Sequence, residues 1–111
     1  MPFENVHRGA RISPTKVRPV ADLIRGKPLA EAMMILQTSK KRAAVFLRQA
    51  LLAAQSNADQ GEADVRRLFV SDARADSGPT VNRWRPKDRG RAFPIRKRTS
   101  HITVAVDVME N

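Results

Sequence analysis

Apolar residues recur at helical spacing in three stretches of the first half of the chain. In the first stretch, Ser13 is a suitable N-cap residue, Pro14 suits the first helical position, and Gly26 can end the helix in a left-handed conformation. The buried stripe of this predicted helix holds residues at i, i+3, i+4 and i+7, which are Val17, Val20, Ala21 and Ile24. Pro19 lies inside the helix and lacks a backbone donor, so we expect a kink or a distorted first turn there.

Two further helices are predicted between residues 28 and 58. The shorter begins at Pro28 and fades around Thr38 and Ser39, with an apolar stripe formed by Leu29, Ala32, Met33 and Leu36. The longer begins near Lys40 and ends near Ala58, and its stripe consists of Ala43, Phe46, Leu47, Ala50, Leu51 and Ala54. Since many of these residues are alanines, another element can approach this helix closely.

After Gly61 the period of the apolar pattern changes to two, which is typical of β-strands. Segments 67–71 and 101–108 are predicted strands, and a third is expected over residues 6–12, ahead of the first helix. Segment 101–108 has the alternation of a half-buried strand, with Ile102, Val104, Val106 and Val108 on one face and Thr103, Ala105 and Asp107 on the other. The predicted fold class is therefore α+β, with three helices packed on a small antiparallel sheet. A length of 111 residues allows a single domain, 1–111.

Residues 80–100, between the last two predicted strands, are expected to form a long protruding β-hairpin arm. Pro86, Gly90 and Pro94 exclude a helix in this segment. Ten residues on each side of a turn at Gly90, at about 3.3 Å per residue, would reach roughly 30 Å beyond the domain. Because a lone polar hairpin is marginal in water, we expect the arm to be mobile when free and ordered on a partner.

The chain is strongly basic, and most of its excess charge lies in this arm. Lys plus Arg number 21 and Asp plus Glu 11, a net charge of +10. Eight basic residues and one acidic residue between positions 83 and 98 give that segment +7 and leave +3 for the other 95 residues. Arginine dominates, and its guanidinium binds two phosphate oxygens at once or stacks on a base; Trp84 and Phe93 can stack on a base or fill an apolar recess. A solvated disordered loop is the alternative, but the charge density and the arginine bias favour nucleic-acid contact.

A second set of basic residues surrounds the first predicted helix. It consists of Arg8, Arg11, Lys16, Arg18, Arg25 and Lys27, against the single acid Asp22. These residues either share the nucleic-acid contact or form a solvated helix face.

The sequence indicates neither an enzyme nor a cofactor or metal site. It contains no cysteine, which excludes disulfides, thiolate metal sites and a cysteine nucleophile. His101 begins a predicted strand, and Ser13 is explained as a helix cap. Asp and Glu show no pattern of a paired acid and base or of a metal ligand set. There is also no run of about 18 apolar residues, so no membrane span is predicted.

Several segments, in unbroken order over about residues 8 to 106, carry a resemblance to a known family. They are Ala10-Arg11-Ile12-Ser13-Pro14, Lys16-Val17-Arg18, the run 20–27, Lys41-Arg42-Ala43-Ala44-Val45, Asn57-Ala58, Gly78-Pro79-Thr80, Gly90-Arg91-Ala92 and the run 95–104. The most specific of them is Lys97-Arg98-Thr99-Ser100-His101-Ile102-Thr103. In these segments the chain resembles a bacterial ribosomal protein family, protein twenty-two of the large subunit.

The resemblance implies a structural constituent of the large (50S) ribosomal subunit, in the cytoplasm, that binds 23S rRNA and contacts several rRNA domains during assembly. It implies other large-subunit proteins as partners, and an arm whose tip lines the nascent-peptide exit tunnel, next to the nascent peptide and near where macrolide antibiotics bind. The expected tip residues are Lys87, Asp88, Arg89, Gly90, Arg91, Ala92 and Phe93. Together with the basic pattern, the resemblance assigns rRNA binding to Arg11, Ser13, Lys16, Arg18, Arg25, Lys27, Arg83, Arg85, Lys87, Arg89, Arg91, Arg96, Lys97, Arg98, Thr99 and His101.

Two other classes of protein fit part of this pattern. A DNA-architectural protein would use the basic hairpin as a groove-binding arm, prefer duplex DNA and bend it. A cationic membrane-active protein is disfavoured, because no basic amphipathic helix with large apolar residues is present.

Overall fold

A computed structural model of the chain describes residues 3–86 and 92–109, with side chains outside 81–96. Three helices and five strands follow one another as β1 (Phe3–Ala10), α1 (Pro14–Ile24), α2 (Leu29–Thr38), α3 (Arg42–Gln60), a short 3-10 turn (Val65–Arg67), β2 (Leu68–Ser77), β3 (Val81–Pro86), β4 (Ala92–Lys97) and β5 (Ser100–Val108). β1, β5 and β2 form an antiparallel sheet in that order, and β3 pairs with β4 in a separate hairpin. The predicted α+β class is confirmed.

The first helix follows the sequence pattern closely. α1 begins after Ser13 with Pro14 at its start, and Gly26 has the left-handed backbone expected beyond its end, at φ +83°. The Ser13 hydroxyl does not cap the helix backbone; its Oγ lies 3.2 Å from Thr15 Oγ1. The helix continues through the exposed Pro19 to Ile24. In its first turn, Lys16 N–H donates to the carbonyl of Ser13, three residues earlier, at 3.1 Å, as in a 3-10 helix.

The hydrophobic core lies between the three helices and one face of the three-stranded sheet. Every residue of the predicted α1 stripe is buried, as are Leu29, Ala32 and Leu36 of α2. In α3 the buried residues include Ala43, Leu47, Ala50, Leu51, Ala54 and Ala58. The sheet contributes Leu68, Val70, Ile102, Val104 and Val106. Met33 and Phe46 pack against this cluster from its edge.

Two strands differ in extent from their predictions. β1 covers Phe3–Ala10 rather than 6–12, because the chain turns after Ala10, whose carbonyl accepts a hydrogen bond from Ile12 N–H at 2.8 Å. β2 extends to Ser77, well beyond the predicted 67–71. Its second half alternates the buried Ala73 and Ala75 with charged residues, a pattern too weakly apolar to be recognised as a strand.

The interpretation of 101–108 as a half-buried strand is wrong at two positions. Thr103 and Ala105 are only 3% and 4% exposed, although they lie on the face away from the core. β5 is the central strand, and longer side chains flank these short ones: Val6 and Arg74 lie opposite Thr103, and Glu4 and Asp72 lie opposite Ala105.

The hairpin arm begins as a regular antiparallel ladder. Pairing runs from Val81 opposite Lys97 to Pro86 opposite Ala92. Of the expected tip, residues 87–91 lie outside the described residues, and Ala92 and Phe93 begin β4. No helix among the described residues is both long and apolar enough to cross a membrane.

Candidate nucleic-acid interface

The arm leaves the body through a root that is closed by side-chain and backbone hydrogen bonds. Gly78 N–H donates to the Thr99 carbonyl at 2.9 Å, and Thr99 Oγ1 donates to the Pro79 carbonyl at 2.6 Å. These two bonds join the strands where β2 leads into the arm and where the arm returns to β5. The buried Ser100 then donates from its Oγ to the Ile12 carbonyl at 2.6 Å. The arm root, defined as Gly78, Pro79 and Thr99 to His101, is thereby attached to the segment that leads into α1.

His101 completes the root on the side of β1. Its Nδ1 accepts a hydrogen bond from Gly9 N–H at 3.1 Å, so the neutral ring carries its proton on Nε2. Gly9 has φ +69° and lies where the pairing of β1 with β5 shifts register. The imidazole also covers Gly78: a Cβ added there would lie 2.6 Å from Thr99 Oγ1 and 3.3 Å from the His101 ring.

Two arginines that the sequence assigns to nucleic-acid contact are bonded to the outer edge of β2. Arg18 donates from Nη2 to the Ala75 carbonyl at 3.3 Å, and Arg25 donates from Nη2 to the Ala73 carbonyl. Arg25 also forms an ion pair with Asp22 at 2.8 Å. Further along the same edge, the backbone of residues 26–28 pairs with Phe69 and Val70. These bonds cover the edge strand. Arg18 forms no ion pair among the described residues, so its remaining guanidinium N–H groups can contact an anion, whereas the charge of Arg25 is already paired with Asp22.

Other predicted contact residues are exposed cations near the arm root, on α1 or just after α1. Arg11 precedes Ile12, whose carbonyl holds Ser100, and Arg98 lies two residues before Ser100; the root therefore brings them to the same end of the molecule. Both are exposed, as are Lys16, Lys27 and Lys97. None of these five residues forms an ion pair with an acid among the residues that the structure describes.

The remaining predicted contacts lie along the arm. Arg83 and Arg85 are on β3, paired with Ile95 and Phe93, and Arg96 is on β4, paired with Asn82. Lys87, Arg89 and Arg91 lie outside the described residues.

The open face of the three-stranded sheet has a different electrostatic character. Arg74 lies between Asp72 and Asp76, with Nε to carboxylate oxygen distances of 3.9 and 3.7 Å. The charge of Arg74 is therefore partly neutralised on this face, whereas Arg11, Lys97 and Arg98 near the arm root form no ion pair among the described residues.

Sequence reasoning missed two features of the interface. One is the buried hydrogen bond from Ser100 to the Ile12 carbonyl. The available signal was a serine placed directly before a strand of alternating apolar residues. The consecutive cations Lys40, Lys41 and Arg42 were also left unassigned, and all three are exposed at the start of α3. Among 3–86 and 92–109, no group of three or more His, Asp or Glu side chains is arranged to hold a metal ion.

Comparison with known proteins identifies the family. The model of the family described as ribosomal protein L22p/L17e matches residues 5–107. The chain belongs to the ribosomal protein L22p/L17e family. The resemblance found in the sequence is confirmed. Members of this family are structural, non-enzymatic components of the ribosome, which is cytoplasmic in bacteria, so the predicted role and location are confirmed as well.

Relatives in the L22p/L17e family match nearly the whole chain. The large ribosomal subunit protein uL22 of Rubrobacter xylanophilus is 50% identical over 106 residues, covering 95% of this chain and 84% of its own length. The protein of the same name from Clostridium acetobutylicum is 48% identical over 107 residues, covering 96% of each chain. The uL22 protein of a Hydrogenobaculum species is 43% identical over 105 residues, covering 95% of this chain and 87% of its own.

Proposed function

We propose that the chain is a structural constituent of the large ribosomal subunit that binds 23S rRNA through its arm and the arm root. The observation that carries the proposal is the placement of charge. The segment 83–98 has a net charge of +7, its described strands pair with each other outside the three-stranded sheet, and a hydrogen-bonded root joins them to a folded body. Family membership and the names of the relatives support the choice of a large ribosomal subunit as the partner.

Binding rests on neutralisation of RNA phosphates. Exposed cations that form no ion pair among the described residues, such as Arg11, Lys97 and Arg98, would displace condensed counterions from the RNA backbone. Arginine in the arm adds bidentate phosphate contacts and stacking on unpaired bases. A paired strand ladder holds these residues in an extended row, which suits insertion between RNA helices better than packing on a protein core.

The arm's tip, Lys87 to Phe93, would line the nascent-peptide exit tunnel. Support for this finer proposal comes from the arm's direction away from the body and from the family resemblance of the flanking segments. In this arrangement the body stays outside the RNA, the arm crosses it, and the tip meets the nascent peptide. Because the arm would pass between rRNA domains, it would contact several of them during assembly.

The test replaces the last three cations of the arm, in the variant Arg96→Ala/Lys97→Ala/Arg98→Ala. We expect weaker binding to 23S rRNA and a slope of log K against log salt that is smaller by about 0.7 to 0.9 for each phosphate that the variant no longer neutralises. Arg66→Ala is the control, because Arg66 is exposed beside the opposite end of β2 and β5 from the arm root. Unchanged affinity and slope in the triple variant would overturn the proposal. Tighter binding to duplex DNA than to rRNA would favour a DNA-architectural protein instead.

A further inference from the structure

Ser100 is a buried polar residue at the point where the central strand meets the arm. It is fully buried, and the only other buried polar residue in the part of the chain that the structure describes is Thr103. Its backbone lies opposite Ala10 of β1 and Ser77 of β2, the last residues of both strands. A buried hydroxyl is costly without a partner, and here the Ile12 carbonyl accepts its hydrogen bond at 2.6 Å.

The same serine holds both neighbours of Arg11. Ala10 pairs with Ser100 in the strand ladder, and Ile12 accepts the hydrogen bond of the Ser100 hydroxyl. Between them the chain makes a tight turn, closed by the bond from Ile12 N–H to the Ala10 carbonyl at 2.8 Å. The side chain of Ile12 is buried, whereas Arg11 is exposed. Arg11 is therefore the tip of a turn whose two ends are both attached to Ser100.

Ser100 also follows closely on the last cation of the arm. Arg98 lies two residues earlier and is exposed. Neither Arg11 nor Arg98 forms an ion pair with an acid among residues 3–86 and 92–109. The bond from Ser100 to Ile12 spans 88 positions of the sequence and directly joins the two segments that carry these cations.

The hydroxyl of Ser100 is not needed for the pairing of the strands. Ser100 pairs with β1 and β2 through backbone groups, and the bond from Gly78 N–H to the Thr99 carbonyl closes the arm root without the serine side chain. An alanine at position 100 would keep these contacts and would bury no hydroxyl. What the hydroxyl adds is a connection between the arm root and the turn that carries Arg11.

We propose that Ser100 is a positioning residue for RNA binding, whose hydroxyl fixes the distance between Arg11 and Arg98 so that both neutralise phosphates of the same RNA. This inference rests on the proposed function, since it assumes that the arm root binds rRNA. A cation held at a fixed place on a folded surface loses less conformational freedom on binding than one on a loose turn. Without the hydroxyl, RNA bound along the arm would engage Arg11 in only a fraction of the complexes.

The test measures binding of the full-length protein to 23S rRNA over a range of salt concentrations, at a temperature where circular dichroism shows each variant to be folded. Ser100→Ala removes no charge, yet it should lower the slope of log K against log salt by about 0.7 to 0.9, the value for one phosphate. Arg11→Ala should lower the slope equally, and the two substitutions together should lower it no further. Val20→Ala is the matched control, because it opens a cavity in the core without altering a hydrogen bond of the root, and it should keep the parent slope.

A second variant tests the same connection with Ser100 in place. One glycine inserted between Arg11 and Ile12 keeps every charge and the buried Ile12 side chain but moves Arg11 away from Ser100. We expect the slope to fall as in Ser100→Ala. This variant decides the question if Ser100→Ala does not fold, and an unchanged slope would then overturn the inference.

The arm variant Arg96→Ala/Lys97→Ala/Arg98→Ala separates this inference from the proposed function. If it weakens binding while a folded Ser100→Ala keeps the parent slope, Ser100 has no positioning role, whatever the insertion shows, and the proposed function stands. If Ser100→Ala and Val20→Ala reduce affinity alike with no change of slope, Ser100 only stabilises the fold and the inference is overturned. If the arm variant does not change binding to rRNA, the proposed function itself is wrong.

Discussion

Gly78 lies where β2 enters the arm, and its surroundings leave no room for a side chain. Thr99 Oγ1 and the His101 ring occupy the position that a Cβ would take, at 2.6 and 3.3 Å. Both neighbours are themselves fixed, Thr99 by its bond to the Pro79 carbonyl and His101 by the bond that it accepts from Gly9. The hydrogen bonds of the arm root therefore require a glycine at position 78, because Thr99 and His101 cannot move away from an added side chain without breaking them.

Gly78→Ala should consequently destabilise the protein by about 1 to 3 kcal/mol, the usual effect of forcing a methyl group into a filled site. Urea denaturation followed by circular dichroism would measure the change. Ser77→Ala, one residue earlier and exposed, is the matched control and should stay within about 0.5 kcal/mol of the parent protein. Equal stability of the two variants would contradict the account of the root.

The edge strand β2 depends on α1 for its outer hydrogen bonds. Arg18 and Arg25 bind the carbonyls of Ala75 and Ala73, and the backbone at residues 26–28 covers the first part of the strand. Because β2 leads directly into the arm root, these bonds also hold the start of the root next to α1. The basic residues in and just after α1 therefore divide into two kinds, those bonded to the sheet, Arg18 and Arg25, and those exposed with no ion pair among the described residues, such as Lys16.

Substitution of one residue of each kind should separate stability from binding. Arg25→Ala removes the bond to Ala73 and should lower the free energy of unfolding by about 1 kcal/mol. Lys16→Ala should leave stability unchanged but reduce the salt slope of rRNA binding by about 0.7 to 0.9. Urea denaturation and a salt titration of binding measure the two effects. An Arg25→Ala protein as stable as its parent would show that the edge bonds contribute nothing.

Local patterns in the sequence were enough to predict the helices but not the way in which they meet the sheet. The α1 stripe from Val17 to Ile24 is predicted correctly because helical spacing of apolar residues is a local signal. The second half of β2 was missed because its buried residues are alanines. Likewise, nothing local distinguishes Arg18, bonded to a strand 57 residues away, from the free Lys16. Charge placement in the arm was evident from sequence, whereas the hydrogen bonds of Ser100 and His101 depend on long-range pairing.

The molecule as a whole is elongated. Its principal extents are 66 × 24 × 16 Å and its radius of gyration is 17.0 Å, against about 13 Å for a compact domain of around 100 residues. Lys97 and Arg98, at the base of the arm, are exposed and form no ion pair among the described residues, while the open face of the sheet has Arg74 between two aspartates. Shape and charge together favour a body that rests on the RNA surface with one long element inserted into it.

Removal of the tip should separate assembly from the proposed tunnel role. A protein lacking residues 87–92 retains the body, the arm root and most of both arm strands, so it should still enter the large subunit. Its ribosomes should nevertheless respond differently to macrolides or to nascent chains that stall translation. Drug-sensitivity and stalling assays on purified mutant ribosomes measure this, with full-length protein as the control. Normal behaviour in both assays would show that the tip does not line the tunnel in this protein.

Sedimentation of a cell extract on a sucrose gradient, with an antibody or tag that detects this chain, tests the central claim most directly. We predict that the chain migrates with the large subunit and stays there at moderate salt, whereas Arg96→Ala/Lys97→Ala/Arg98→Ala is released at a lower salt concentration. Recovery of the unmodified chain at the top of the gradient, or with the chromosome, would contradict the account.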